Sequence, residues 1–109
     1  NIKVSRMGGL TAAVAAHDLA TQHGWPVWCG GMHEFGVGRY ANVALSSLPG
    51  FTLPSDVSGS DKYYARDVVL PPVVARDGRV AVPTSPGLGA DVDEDYLATV
   101  TLRTERLTV

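Results

Sequence analysis

The sequence predicts an α/β fold, because short apolar runs alternate with helical segments over its first 54 residues. The three runs, at residues 1–5, 26–29 and 51–53, are each followed within three residues by glycine or proline. Two helical segments separate them, and the connecting loops have lengths that are usual in α/β proteins. We therefore expect two βα units followed by a third strand.

The first βα unit begins at the first residue. Residues 1–5 alternate between polar and apolar side chains, which is typical of a short strand. Gly8-Gly9 then interrupts the pattern, and an alanine-rich run predicts a helix from about residue 10 to residue 22. His23-Gly24 supplies the signal that ends this helix.

The second βα unit starts with the apolar run at residues 26–29, which is of the buried parallel-strand type and ends at Gly30-Gly31. A second helix follows and is predicted to end at Pro49-Gly50. Residues 51–53 form the third predicted strand, which Pro54 ends. The apolar positions of the second helix predict one buried stripe, formed by Val37, Tyr40, Ala41, Ala44 and Leu48.

The character of the sequence changes after Asp56, where Ser58-Gly59-Ser60 predicts a turn-rich link. Beyond the link, four elements are predicted: a strand at 68–70, a β-hairpin of residues 73–75 and 80–82 with a tight Asp77-Gly78 turn, a helix at 91–98 and a last strand at 99–107. We therefore divide the chain into residues 1–59 and residues 60–109.

The composition favours an ordered protein and argues against several functional classes. The 109 residues are 45% hydrophobic and 18% charged, with a net charge of −2 and no cluster of Lys and Arg, so we expect no nucleic-acid partner. The apolar run at residues 10–16 is too short to cross a bilayer, and no signal-peptide pattern is present, so we expect no membrane partner. A single cysteine, Cys29, excludes an internal disulfide and suits a cytoplasmic location.

The sequence begins without an initiator methionine, and Ile2 and Val4 resemble the middle of a strand. We therefore expect either the C-terminal piece of a longer protein or a chain that needs a partner to complete its sheet.

Residues 36–41 match the G-x-G-x-x-A pattern of dinucleotide-binding turns. That chemistry needs a tight turn directly after a strand, so that the pyrophosphate lies at a helix N-terminus. Here the preceding strand ends near Cys29, six or seven residues too early. We therefore place the pattern on the first turns of the second helix, where small residues permit close packing.

A second group, Cys29, His33 and Glu34, could suggest a metal site or a Cys-His nucleophile. Neither C-x-x-C nor H-E-x-x-H is present, and no third ligand has suitable spacing. We interpret these residues as a buried structural cysteine and polar loop residues. His17 and His23, on a helix face and at its end, are also interpreted as structural.

Lys3 is the most informative single residue, because lysine is uncommon in a buried strand. One interpretation is a lysine at a strand end that extends its ammonium group to water. The other is a functional lysine that acts as a general acid/base or as a cation for an enolate. The arginine at position 6 would place a second positive charge near it.

Several motifs together identify a family. The first stretches are Asn1-Ile2-Lys3-x-x-Arg6-x-Gly8-Gly9, His17-Asp18-Leu19-Ala20 and Pro26-Val27-Trp28-Cys29-Gly30-Gly31-Met32-x-Glu34-x-Gly36-x-Gly38-Arg39. Those that follow are Leu48-Pro49-Gly50-Phe51-Thr52-Leu53-Pro54-x-Asp56, Ser60-Asp61, Pro83-Thr84-x-Pro86-Gly87-Leu88-Gly89 and Val92-Asp93-Glu94-Asp95. In this order they resemble the o-succinylbenzoate synthases and N-acylamino acid (N-succinylamino acid) racemases of the enolase superfamily.

The resemblance implies the C-terminal part of a modified TIM-type (β/α) barrel. Residues 1–5, 26–30 and 51–54 would be barrel strands six, seven and eight. Residues from about 60 onward would form the C-terminal segment of an α+β capping domain. Because a complete barrel needs about 250 residues, the missing N-terminal part of the barrel is an expected partner, and the chain alone would be inactive.

The resemblance also assigns residues to a site. Lys3 matches the catalytic lysine of the sixth strand, and Arg6 matches an arginine that lies behind that lysine. Gly31, His33 and Tyr63 match positions that line the substrate pocket, although His33 stands where the family often has an aliphatic residue. Glu34 and Asp56 lie at strand ends and receive no role.

The implied reaction is proton abstraction α to a carboxylate, with Mg²⁺ as the cofactor and all of its ligands upstream of this chain. The leading hypothesis is the C-terminal part of an o-succinylbenzoate synthase, a lyase of menaquinone biosynthesis that takes a small-molecule carboxylate substrate. An N-acylamino acid racemase on the same scaffold and a non-catalytic, partner-dependent module are the alternatives. The full-length protein is expected to be a homo-oligomer.

Overall fold

The computed structural model describes residues 1–107. It contains helices and short strands in mixed order. The helices are α1 (Val4–Met7), α2 (Leu10–Gln22), α3 (Gly36–Ser46) and α4 (Glu94–Val100), with a 3₁₀ turn at Ser60–Lys62. The strands are β1 (Val69–Leu70), β2 (Ala75–Arg76), β3 (Arg79–Val80) and β4 (Asp91–Val92).

Three extended segments lie side by side in the first half of the chain. Ile2 forms a parallel bridge with Cys29, in which the Ile2 N–H donates to Trp28 O at 3.0 Å and the Gly30 N–H donates to Ile2 O at 2.9 Å. On the opposite edge, the Val27 backbone donates to Gly50 O and accepts from Leu53 N–H, at 3.3 and 3.2 Å. The segment at residues 27–29 is therefore the middle one of the three.

The three strands predicted in this half are too long, since the only regular pairing among them is the Ile2–Cys29 bridge. The prediction of a strand over residues 1–5 is wrong from Val4 onward, because the Lys3 carbonyl accepts from the N–H groups of Arg6 and Met7 and thereby starts α1. Gly8 ends α1 with φ 84°. The segment at 51–53 is held by the two Val27 hydrogen bonds but does not form a ladder.

The two long helices are confirmed. Helix α2 occupies the predicted residues, with His23 as its C-cap. Helix α3 begins at Gly36, which confirms that the G-x-G-x-x-A pattern belongs to its first turns. The predicted stripe of α3 is partly wrong, since Val37 is 43% exposed and Ala44 is also exposed. The buried face instead comprises Gly36, Arg39, Tyr40, Asn42, Val43 and Leu45.

In the second half, the predicted hairpin is confirmed with shorter strands. Strands β2 and β3 pair in antiparallel register, and Asp77 (φ 50°) and Gly78 (φ 73°) form the turn between them. Strand β1 pairs with β4, and not with its neighbour in sequence. The predicted helix at residues 91–98 is displaced, because Asp91 and Val92 form β4 and Asp93 caps α4 through a hydrogen bond from Tyr96 N–H.

The prediction of a last strand over residues 99–107 is wrong. Residues 99–100 complete α4, and residues 101–107 have no regular structure. The alternating pattern is genuine, but a strand also needs a neighbour with which to exchange backbone hydrogen bonds, and residues 1–107 provide none beside this segment. Leu102 and Leu107 are consequently almost fully exposed.

Two small apolar cores stabilise the described residues, and α3 contributes to both. One core lies between α2 and the extended segments and contains Ile2, Ala13, Ala20, Val27, Cys29 and Leu45. The other lies between α3 and the second half and contains Tyr40, Val43, Val68, Val69 and Val73.

The radius of gyration is 15.0 Å, against about 13 Å for a compact domain of this length. The chain is therefore flatter and more open than such a domain, and the boundary at residue 59 stays a prediction.

His17 connects α2 to the third extended segment. It is 5% exposed, its Nε2 accepts from Gly50 N–H at 3.0 Å, and its Nδ1 lies 2.8 Å from Asp18 Oδ1. Its ring also stacks on Phe51 at a centroid distance of 5.2 Å. These contacts confirm the structural interpretation of His17.

Among the described residues, none of the helices has the length and apolar character needed to cross a membrane.

Candidate functional site

Lys3 lies at the junction between the first extended segment and α1, where its backbone is still extended (φ −116°, ψ 115°). Its ammonium group donates to the carbonyl oxygen of Gly31 at 2.6 Å. The side chain passes directly over Gly30, where a Cβ atom would lie 2.8 Å from both Lys3 Cγ and Lys3 Cε. Glycine at position 30 therefore leaves the space through which Lys3 reaches the loop that follows Cys29.

Two carboxylates fix the conformation of this loop. Asp56 Oδ1 accepts from Gly31 N–H at 2.5 Å, and Glu34 Oε2 accepts from Met32 N–H at 2.8 Å. The other oxygen of Glu34 accepts from the Asn42 side chain at 3.1 Å, which connects the loop to α3. The sequence left Glu34 and Asp56 without a role, and the structure shows that both hold backbone N–H groups in place.

A cavity of about 340 Å³ opens beside the loop, which lies within the size range of small-molecule sites. The rings of His33 and Tyr63, which both line it, pack against each other at a centroid distance of 4.3 Å and an angle of 39°. The Tyr64 hydroxyl donates to the His33 carbonyl, and its ring stacks on Phe35 at 4.3 Å. The cavity is lined by Gly31, Met32, His33, Asp56, Lys62 and Tyr63.

The structure thus brings together four of the five residues selected from the sequence. Gly31, His33 and Tyr63 share one cavity, and Lys3 contacts the carbonyl group of the first of them. Arg6 lies apart from this group on exposed α1, and within residues 1–107 its guanidinium forms no hydrogen bond or ion pair. The roles of all five residues remain predictions, because proximity alone does not establish a role.

A buried arginine that the sequence did not single out lies behind the Tyr63 wall of the cavity. Arg39 is 1% exposed, and its Nη1 donates to Ser58 O at 2.9 Å and to Ser58 Oγ at 2.7 Å. Its guanidinium carbon also lies 5.3 Å from the centroid of the Tyr63 ring. Arg39 therefore supports the segment that carries Tyr63. In the sequence, Arg39 appeared only as a member of the G-x-G-x-x-A pattern and of the family motif that ends at Gly38-Arg39.

A buried aspartate was missed as well. Asp67 is 5% exposed, and its Oδ1 accepts from Gly36 N–H at 2.8 Å and from Val68 N–H at 2.7 Å. Since Gly36 is the first residue of α3, this carboxylate caps the helix from a segment 31 residues away and complements the positive end of its dipole. Helical periodicity carries no signal for such a distant cap.

Cys29 is fully buried in the middle extended segment. Burial raises the pKa of its thiol, with smaller contributions from the carboxylates of Asp56 and Glu34, while a hydrogen bond with Ser46 and the charge of Lys3 oppose the rise. Within residues 1–107, no group of three or more His, Cys, Asp or Glu side chains could hold a metal ion. The grouping of Cys29, His33 and Glu34 in the sequence therefore does not become a metal site.

The environment of Cys29 predicts low thiol reactivity. Because the thiolate is the reactive form and burial favours the thiol, we expect alkylation by iodoacetamide at pH 8 to be at least about 100-fold slower than for a free thiol. Unfolding in urea should remove the protection. The raised pKa of the Cys29 thiol also makes stability depend on pH. The thiol stabilises the folded protein at pH values below the pKa that it has in the unfolded chain, and this stabilisation is lost as the pH rises through its folded-state pKa. Equally fast labelling of the folded and unfolded protein would contradict this prediction.

A sequence model of the Enolase C-terminal domain-like family matches residues 1–96. The chain belongs to this family. This match confirms the resemblance to the enolase superfamily that the sequence motifs indicated. It is also consistent with the predicted α/β fold class.

Individual members of the enolase superfamily are similar along most of the chain. It is 50% identical over 97 residues to an o-succinylbenzoate synthase of Bacillus subtilis and 52% identical over 101 residues to an N-succinylamino acid racemase of an Amycolatopsis species. A solved structure of an enolase superfamily member from Listeria innocua aligns with a TM-score of 0.90 and 39% identity, over 96% of this chain and 28% of that one. The two sequence alignments cover 89% and 93% of this chain but 26% and 27% of the relatives. The chain therefore spans about a quarter of their length.

Proposed function

We propose that this chain is the C-terminal part of an o-succinylbenzoate synthase that dehydrates a cyclohexadiene carboxylate in menaquinone biosynthesis. The observation that carries the proposal is the contact of Lys3 with Gly31, beside a cavity of small-molecule size, in a chain 50% identical to synthases over most of its length. In this proposal the three extended segments are the sixth, seventh and eighth barrel strands, and residues from about 60 onward belong to the capping domain.

The reaction begins when a lysine from the missing N-terminal part of the barrel takes the proton α to the substrate carboxylate, and the substrate hydroxyl group then leaves as water with a proton returned by that lysine. The charge that develops on the carboxylate oxygens is stabilised by a nearby cation, which is the role proposed for the Lys3 ammonium. Its hydrogen bond to Gly31 O holds the ammonium group at the loop before substrate binds. Gly31, His33 and Tyr63 line the substrate pocket in this proposal, and Arg6 contributes a second positive charge near Lys3 in the sequence.

Mg²⁺ is the cofactor proposed for the complete protein, where it would stabilise the enediolate. The described residues do not fit a magnesium site, since no group of three or more potential ligands is present among them, and Glu34 Oε2 and Asp56 Oδ1 each already accept a backbone N–H group. The ligands are therefore proposed to lie in the N-terminal part of the barrel. We also propose a cytoplasmic homo-oligomer.

An N-acylamino acid racemase is the second candidate function. It is favoured by the 52% identity to the Amycolatopsis racemase and by the arginine at position 6. In racemisation, Lys3 would exchange a proton on one face of the α-carbon, and a lysine from the rest of the barrel would act on the other face. The same cavity would then accept an N-acyl group in place of the succinyl side chain of the synthase substrate.

The test is to assay the complete natural protein that contains this chain with both substrates in the presence of Mg²⁺. Synthase turnover would support the leading proposal, whereas rapid racemisation without synthase turnover would favour the second. A non-catalytic module would turn over neither substrate. In that case, size-exclusion chromatography and thermal unfolding of the chain by itself would show whether it folds as an independent unit.

A further inference from the structure

Lys62 lines the candidate cavity on a well-fixed piece of backbone. It ends the 3₁₀ turn that begins at Ser60. The Ser60 N–H donates to Val73 O at 2.8 Å, and Ser60 Oγ accepts from Val73 N–H at 3.0 Å. Since Val73 belongs to the second core, the two hydrogen bonds at Ser60 tie the start of this turn to that core. A lysine in a free loop would lack this restraint.

The side chain of Lys62 carries a charge that no other described residue neutralises. Its ammonium group lies 5.5 Å from the centroid of the Tyr63 ring, in the wall of the cavity. The ion pairs within residues 1–107 involve Arg66 and Arg103, and none involves Lys62. The one carboxylate that lines the cavity, Asp56, accepts the N–H of Gly31. Lys62 is therefore a cation in the cavity wall that forms no ion pair within residues 1–107, although an anion bound there would also face the Asp56 carboxylate.

The ligand chemistry follows from the proposed function, on which this inference rests. The names o-succinylbenzoate and N-succinylamino acid, carried by the two kinds of relative, share a succinyl group. A succinyl group ends in a free carboxylate that takes no part in proton removal at the α-carbon. We propose that Lys62 binds this distal carboxylate and so determines specificity for succinylated substrates. The Lys3 ammonium group donates to the carbonyl oxygen of Gly31, and Gly31 and Lys62 line the same cavity.

The test measures equilibrium binding to the complete protein, so that it does not depend on which reaction is catalysed. The probes are 2-succinylbenzoate and 2-butyrylbenzoate, which differ by replacement of the distal carboxylate with a methyl group. Lys62→Gln is expected to weaken binding of 2-succinylbenzoate about 10-fold, since a charge-assisted contact at a partly open site is lost. Binding of 2-butyrylbenzoate should change less than about twofold. Lys62→Arg should restore most of the discrimination, and added salt should weaken only the succinyl ligand.

Arg76→Gln is the matched control, because it removes one exposed positive charge in the hairpin, away from the cavity. It should leave binding of both ligands unchanged. If Lys62→Gln weakens both ligands equally, or neither, the proposal is overturned while the proposed function stands. If the unsubstituted protein binds neither ligand and turns over neither substrate, the proposed function fails, and the role of Lys62 fails with it.

Discussion

Replacing Lys3 with methionine is expected to lower the turnover number of the complete protein about 1,000-fold. Methionine keeps much of the length and apolar character of the side chain but removes the ammonium group. Loss of a group that transfers a proton or stabilises a developing enolate commonly costs two to four orders of magnitude in rate. The measurement is the rate of product formation, together with incorporation of deuterium from solvent at the α-carbon of the substrate.

The substitution should lower the turnover number without changing the fold and with little effect on the stability of the protein. The Lys3 side chain contributes one hydrogen bond, to Gly31 O, and a single hydrogen bond contributes about 1 kcal/mol to stability. The circular dichroism spectrum should therefore be unchanged and the melting temperature nearly so. Lys3→Arg keeps the charge but not the shape, and it should recover only part of the activity. Activity of Lys3→Met within tenfold of the unsubstituted protein would remove Lys3 from the mechanism.

Replacing Gly36 with alanine is expected to reduce the free energy of unfolding by about 2 kcal/mol, which is typical of overpacking in a core. A Cβ atom at this position would overlap the Val69 side chain and lie 3.1 Å from both carboxylate oxygens of Asp67. Val69 belongs to the second core, and the Asp67 carboxylate caps α3, so neither group can move without loss. Urea unfolding of the protein measures the change.

Ala44→Ser is the matched control for this substitution, because Ala44 is an exposed position of the same helix. It should change the free energy of unfolding by less than about 0.5 kcal/mol, as substitutions on the surface usually do. If Gly36→Ala were as mild as Ala44→Ser, the close approach of α3 to β1 would not be a constraint on position 36. The G-x-G-x-x-A pattern would then need a different explanation.

The family and much of the local structure could be predicted from the sequence. The motifs around Lys3 and the loop after Cys29 identified the enolase superfamily, which the match over residues 1–96 confirms. Helix α2 and the Asp77-Gly78 turn were also predicted correctly, because their signals are local. A helix needs only its own period and end signals, and a tight turn needs only residues that accept positive φ.

The buried face of α3 could not be predicted in the same way. Periodicity counts apolar residues and assigns charged ones to the surface. Arg39 is nevertheless buried: Ser58 supplies two oxygen acceptors to its Nη1 and the Tyr63 ring lies close to its guanidinium, while its Nε and Nη2 have no hydrogen-bond partner among the described residues. These partners come from a segment about 20 residues further along the chain, so the sequence of α3 alone does not indicate them.

The sequence by itself determined the family, the long helices and the hairpin turn, and it proposed a first set of site residues. The tertiary structure decided which of those residues meet. It joined Lys3 to Gly31 across 28 positions, placed Lys62 in the same cavity wall as Tyr63, and left residues 101–107 unpaired. The physical reason is that helices and turns are stabilised by contacts between near neighbours in sequence. Strands, buried charges and cavities depend on partners that only the folded chain brings together.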